Sequence, residues 1–174
     1  RLMGHENVAV LDGGLPKWVA EGQPTDSTPP VIRDRHMTVN RQNQLVKDVT
    51  EVAAASKLCT SQILDARPRG RFLGSTPEPR AGLRSGHMPN AKSLPHSDIL
   101  NADGTMKDLA GLRSAYQQAG VDLEKPVITT CGSGVTAAVL SLGLERLGHK
   151  EHALYDGSWA EWGIESNLKV VTGE

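Results

Sequence analysis

The chain has 174 residues, and its 19 basic and 20 acidic side chains leave a net charge of −1, which argues against a broad electrostatic surface for nucleic acid. A charged fraction of 22% beside 38% hydrophobic residues suits a globular domain, and no apolar run approaches the ~18 residues of a membrane span. The two cysteines, Cys59 and Cys131, form no C-x-x-C pair, so neither a disulfide framework nor a cysteine-based zinc site is expected, and a reducing, cytoplasmic setting fits them best.

The chain begins at Arg1 with no charged-then-apolar leader, and it reads as a fragment or processed product of something longer. A short internal repeat supports this. Val8-Ala9-Val10-Leu11-Asp12-Gly13-Gly14-Leu15-Pro16-Lys17-Trp18 resembles Ala153-Leu154-Tyr155-Asp156-Gly157-Ser158-Trp159-Ala160-Glu161-Trp162. Each copy reads as a short apolar strand, a turn at Asp-Gly and one helical segment. A spacing of about one domain length suggests tandem duplicated domains. Residues 1–24 are then the tail end of a first domain, 25–44 a linker, and 45–174 the main unit. Residues 23–30 hold three prolines, which favour extended irregular backbone. Residues 31–39 read as an extended arm or edge strand.

The remainder alternates. Residues 48–57 read as a helix, 62–66 as a buried strand, and 68–73 as a turn or short helix. Residues 91–94 read as a strand. Residues 108–119 read as a helix with Leu109, Leu112, Ala115 and Tyr116 on one face and Gly120 as its stop. Residues 127–130 form a strand, 134–147 an apolar helix closed by Gly148, and 153–155 the last strand. This alternation predicts an α/β domain with a mostly parallel central sheet and helices on both faces.

Cys131 follows the apolar strand Pro126-Val127-Ile128-Thr129-Thr130 and precedes a helix. Ligands of open α/β sheets bind at the carboxyl ends of the strands. Gly132 and Gly134 let the backbone curl and point its amides inward. Inward amides and the positive end of the helix stabilise an anion, so Cys131 is expected to be a reactive thiolate with a lowered pKa. Ser133 and Thr136 can add hydroxyl donors, or Thr136 can cap the helix. A cysteine-dependent phosphatase would need an arginine after five intervening residues, in a C-x5-R loop, to grip phosphoryl oxygens. That position is Ala137, and residues 132–136 carry no basic side chain.

The loop Cys131-Gly132-Ser133-Gly134-Val135-Thr136 resembles the active-site loop of the 3-mercaptopyruvate sulfurtransferases, a branch of the rhodanese superfamily. Arg84-Ser85-Gly86-His87-Met88-Pro89-Asn90-Ala91 resembles the rhodanese G-H-I-P-x-A signature. Residues 155–162 resemble the closing signature of the catalytic domain, and Asp65-Ala66-Arg67-Pro68-Arg69-Gly70-Arg71-Phe72 through Pro77-Glu78-Pro79-Arg80 also looks like that branch. The resemblance covers residues 45–165. It implies a rhodanese-like fold and two-domain architecture, with the rest of the first domain as partner. It also implies transfer of sulfur from 3-mercaptopyruvate through a Cys131 persulfide to thioredoxin, a small thiol or cyanide, with no cofactor or metal.

On that resemblance Cys131 and Ser133 are catalytic. Gly132, Gly134, Val135 and Thr136 surround the substrate, and Arg71 and Arg80 bind its carboxylate. Arginine suits that task because its planar fork matches a carboxylate. Composition alone does not choose among Arg67, Arg69, Arg71, Arg80 and Arg84. Two alternatives stay open: a thiosulfate sulfurtransferase and a non-catalytic rhodanese-like binding module. His87 reads as a loop-stabilising residue, Asp65 and Arg67 as a structural pair, Asp156 as a turn, and Trp159 and Trp162 as packing. Cys59 reads as an inert apolar residue, and the other histidines show no ligand spacing.

Overall fold

A computed structural model of the chain describes residues 1–34 and 36–173. Among the described residues five strands form one sheet in the order β1-β5-β4-β2-β3, with every neighbouring pair parallel. They are β1 (Val46–Lys47), β2 (Gln62–Asp65), β3 (Ala91–Ser93), β4 (Val127–Thr130) and β5 (His152–Tyr155). The helices are α1 (Gly14–Ala20), α2 (Val49–Leu58), α3 (Arg69–Leu73), α4 (Leu109–Gln118), α5 (Val135–Arg146) and α6 (Ser158–Trp162).

Side chains alternate across a strand, and the two faces of this sheet gather separate cores. Leu64 of β2 and Ala66 just after it, with Val127 of β4, pack against Leu112 and Tyr116 of α4 and Leu140 and Leu144 of α5. Ile63 and Ile128 point the other way, onto Val52 and Ala55 of α2 and onto Trp159 and Trp162 of α6. Helices thus cover both faces, as parallel strands require. Two of the helices begin on aspartate caps. Asp48 accepts from the Glu51 amide at 2.8 Å while Glu51 reaches back to the Asp48 amide at 3.1 Å. Asp108 accepts from the Gly111 amide at 2.8 Å. In each case the cap satisfies an amide that the first helical turn leaves open.

The strand expected over residues 8–11 does not form, and Val8, Val10 and Leu11 are exposed. A strand needs a neighbour for its amides and carbonyls. The equivalent residues of β5 have β4 on one side and β1 on the other, whereas residues 8–11 have neither. The helical half of the repeat is present in both copies, as α1 and α6. No described residue of 31–39 is in a strand, and Val31 and Ile32 are exposed; Arg35 lies outside the described residues. Residues 1–24 meet the main unit at polar contacts and where Val10 and Leu11 share a cavity with Leu100, Met106 and Leu142. Asp12 accepts from the Met106 amide at 2.8 Å, and Arg1 pairs with Glu145 at 2.9 Å.

Candidate functional site

The central strand β4 ends at Thr130, and the chain turns through residues 131–134 into α5. Gly134 makes the turn in the left-handed region at φ 83°. A side chain there would be strained, and its Cβ would lie 3.0 Å from Asp156 Oδ1. Cys131 is buried at the end of this strand, with 2% of its surface exposed.

The direction of the loop amides follows from contacts on its far side. The first turn of α6 donates Trp159 N–H to the Cys131 carbonyl at 2.9 Å and Ala160 N–H to the Gly132 carbonyl at 2.9 Å. A trans peptide points its C=O and N–H in opposite directions. With the Gly132 carbonyl turned toward α6, the Ser133 amide is turned toward the sulfur, 3.4 Å from Sγ. Below the loop, Ser158 Oγ accepts from the Cys131 amide at 3.2 Å and donates to the Tyr155 carbonyl at 2.8 Å. Ser158 itself is held at φ 50° and fully buried.

Burial pushes the Cys131 thiol up, but hydrogen bonds from the Thr136 hydroxyl and from the amides of Ser133, Ala137 and Thr136 pull it down further, and the net result lies below the ordinary thiol value. The arrangement can therefore hold a thiolate at the mouth of a helix.

The other candidate residues are distributed unevenly around this sulfur. Ser133 presents its amide, while its side chain is exposed and its hydroxyl has no partner among the described residues. Gly132 lies against Arg71: a Cβ on it would sit 3.1 Å from Arg71 Nη2. Val135 is 73% exposed at the start of α5, so it borders the opening rather than the core. Arg80 is exposed and makes no hydrogen bond or ion pair among the described residues. Arg84 is spent on the carbonyls of Trp162, Ile164 and Leu168.

One charged network stands out behind the loop. Arg67, with 1% of its side chain exposed, binds Asp65 at 2.7 Å and Glu78 at 2.8 Å, and it stacks 4.1 Å above the Trp159 ring. Glu78 also binds Arg71 through Nε at 3.2 Å and through Nη2. Two carboxylates balance two guanidinium groups, which is what makes burial of the set tolerable. Glu78 escapes a reading of the sequence because its partners lie 7 and 11 residues away, across a bend that no periodicity describes; its only signal is a carboxylate among four arginines. His87 is buried, stacked on Phe72 at 3.8 Å, with Nδ1 2.8 Å from the Phe72 carbonyl. Burial lowers its pKa, and its ring holds the chain between α3 and β3. Cys59 ends α2 as an exposed residue at φ 54°. Among the described residues no group of His, Cys, Asp and Glu could hold a metal ion, and no helix is long and apolar enough to cross a membrane.

A model of the rhodanese-like domain matches residues 48–165. The 3-mercaptopyruvate sulfurtransferase of Homo sapiens is 34% identical over 174 residues, which take in 100% of this chain and 59% of the human protein. The thiosulfate sulfurtransferase of Rattus norvegicus is 38% identical over 163 residues, 93% of this chain and 55% of the rat protein. The crystal structure of SseA from Escherichia coli, described as a 3-mercaptopyruvate sulfotransferase, matches with a TM-score of 0.80 at 36% identity, covering 91% of this chain and 59% of SseA. The chain thus spans a little over half the length of the curated relatives it matches. With a family model over most of its length and relatives more than 30% identical over nearly all of it, the chain belongs to the rhodanese-like domain family.

Proposed function

We propose that this protein is a sulfurtransferase that takes sulfur from 3-mercaptopyruvate onto Cys131 and passes it to a thiol or to cyanide. The observation that carries this reading is the buried Cys131 sulfur at the end of β4, with the Ser133 amide aimed at it from 3.4 Å. The relatives named as 3-mercaptopyruvate sulfurtransferases support the choice of donor.

In the first half-reaction the Cys131 thiolate attacks the sulfur of mercaptopyruvate. A sulfur–sulfur bond forms and the substrate's carbon–sulfur bond breaks. The released electron pair becomes the enolate of pyruvate, which takes a proton to give pyruvate. Cys131 is left as a persulfide. The loop amides, already aimed at Sγ, stabilise charge there without having to reorganise. Arg71, beside Gly132, is placed to hold the donor's carboxylate, and the exposed Arg80 is its second clamp. In the second half-reaction an acceptor thiolate, such as that of thioredoxin or a small thiol, attacks the outer sulfur and restores the Cys131 thiolate. Two half-reactions sharing one covalent intermediate give ping-pong kinetics.

Thiosulfate is the second donor to consider, and the rat thiosulfate sulfurtransferase favours it. The loop's lack of any basic side chain favours mercaptopyruvate instead. The ratio of kcat/KM for the two donors decides between them: a strong preference for thiosulfate would overturn the carboxylate-clamp reading. Residues 1–24 are the tail end of a first rhodanese-like domain, 25–44 a linker and 45–174 the catalytic unit; the relatives' greater length and the α1–α6 repeat support this division. The remainder of that first domain is then a partner. A reducing compartment, cytoplasmic or mitochondrial, suits the free thiol.

A further inference from the structure

Glu78 is the residue that joins the buried part of the site to its open edge. Its side chain is 1% exposed, and it serves two arginines with different fates. Arg67 is consumed inside the protein, by Asp65, Glu78, the Gly86 carbonyl and the Trp159 ring. Arg71 gives Nε and Nη2 to Glu78 and keeps 22% of its side chain exposed, and its Nη1 has no partner among the described residues. The same Nη2 lies 3.1 Å from where a Gly132 Cβ would be, so the guanidinium stands beside the Cys131 loop with one edge open.

Asp65 already meets the charge of Arg67 through both oxygens, at 3.1 and 3.0 Å from Nε. Glu78 is therefore not needed as the first counter-ion of Arg67. What it adds is a rigid link from that buried, stacked guanidinium to Arg71. An arginine fixed before binding loses less freedom when an anion arrives.

We propose that Glu78 is a positioning residue that holds Arg71 beside Gly132, so that the open Nη1 edge receives the carboxylate of a small anionic sulfur donor above Cys131. The identity of the donor rests on the sulfurtransferase reading; the positioning role does not.

The test uses two alkylating reagents that differ in charge, iodoacetate with a carboxylate and iodoacetamide without one. Rates are read at the Cys131 peptide by mass spectrometry, on the full chain carrying Glu78→Gln, Glu78→Asp, Arg71→Ala, or Glu78→Gln with Arg71→Ala. The expected result is a fall of about fivefold in the iodoacetate-to-iodoacetamide rate ratio for Glu78→Gln, with the iodoacetamide rate within about twofold of wild type. Charge alone predicts the opposite sign, since removing a carboxylate makes the site more positive and speeds the anionic reagent. Glu78→Asp keeps the charge and the balance of the buried network but withdraws the carboxylate by one methylene, so it guards against misfolding of the glutamine variant. Its ratio is expected to fall as well. The double variant is expected to match Arg71→Ala alone.

A raised or unchanged ratio in Glu78→Asp and Glu78→Gln would overturn the proposal. So would a further drop in the double variant beyond that of Arg71→Ala. With mercaptopyruvate, the Glu78 variants are expected to raise KM about fivefold with little change in kcat. Failure of wild type to form a persulfide, together with the expected alkylation pattern, would remove the sulfurtransferase reading and leave the role of Glu78 standing.

Discussion

At Cys131 two influences oppose each other. Burial favours the neutral thiol, while the Thr136 hydroxyl and the amides of Ser133, Ala137 and Thr136 favour the thiolate and prevail. The sign has a direct consequence. A thiol whose pKa is lowered stays ionised below the ordinary range of about 8.5, so its alkylation remains fast as the pH falls into neutrality. The rate of iodoacetamide modification at the Cys131 peptide is expected to reach half its plateau below that range. Thr136→Val removes one donor and keeps the shape, and it is expected to move the midpoint upward. An unmoved midpoint would assign the whole shift to the backbone. Much at this scale is legible in the sequence. A cysteine after an apolar strand and before a helix, with glycine on either side of Ser133, already specifies inward amides. Ser158 and Glu78 are not legible. Ser158 reaches the Cys131 amide across 27 residues, and Glu78 reaches Arg67 across 11. No local period records contacts of that kind.

At the scale of elements, the site is a junction of β4, α5 and α6. The amides at the start of α6 take the carbonyls of the loop, and this turns the loop's own amides to the sulfur. Gly134 gives the loop its left-handed turn. Gly134→Ala is expected to cost about 1–2 kcal/mol of stability from that conformation alone, with more from the crowding against Asp156. Thermal unfolding followed by circular dichroism measures it. The same variant is expected to slow Cys131 alkylation, because the amides leave their aim. Removing the α2 cap with Asp48→Ala, far from the site, is expected to cost about 1 kcal/mol and to leave the alkylation rate alone. The longer helices and β4 were readable because capping aspartates and long apolar runs mark them locally. The strand β1 has two residues, too few for any period, and it exists only because β5 offers it an edge. The absence of a strand at residues 8–11 is the converse case: similar residues, but no neighbour to pair with.

Over the whole molecule, the main unit is an α/β sandwich, and residues 1–24 reach it through Asp12 and Arg1. Val10, before α1, and Leu15 and Val19 within it are 68%, 63% and 55% exposed. On the two-domain reading these side chains are the face that the rest of the first domain covers. A separately expressed polypeptide corresponding to the part of the relatives that this chain does not cover is expected to bind this chain, and Leu15→Asp is expected to weaken that binding at least tenfold by isothermal calorimetry. Binding that ignores the substitution would place the partner elsewhere. The fate of one sulfur atom is the most direct measure of what Cys131 does. The chain is treated with 3-mercaptopyruvate and its intact mass is measured beside that of Cys131→Ala. A gain of one sulfur on the wild type alone, removed again by a thiol, is the expected result; no gain on the wild type, or an equal gain on Cys131→Ala, would contradict it.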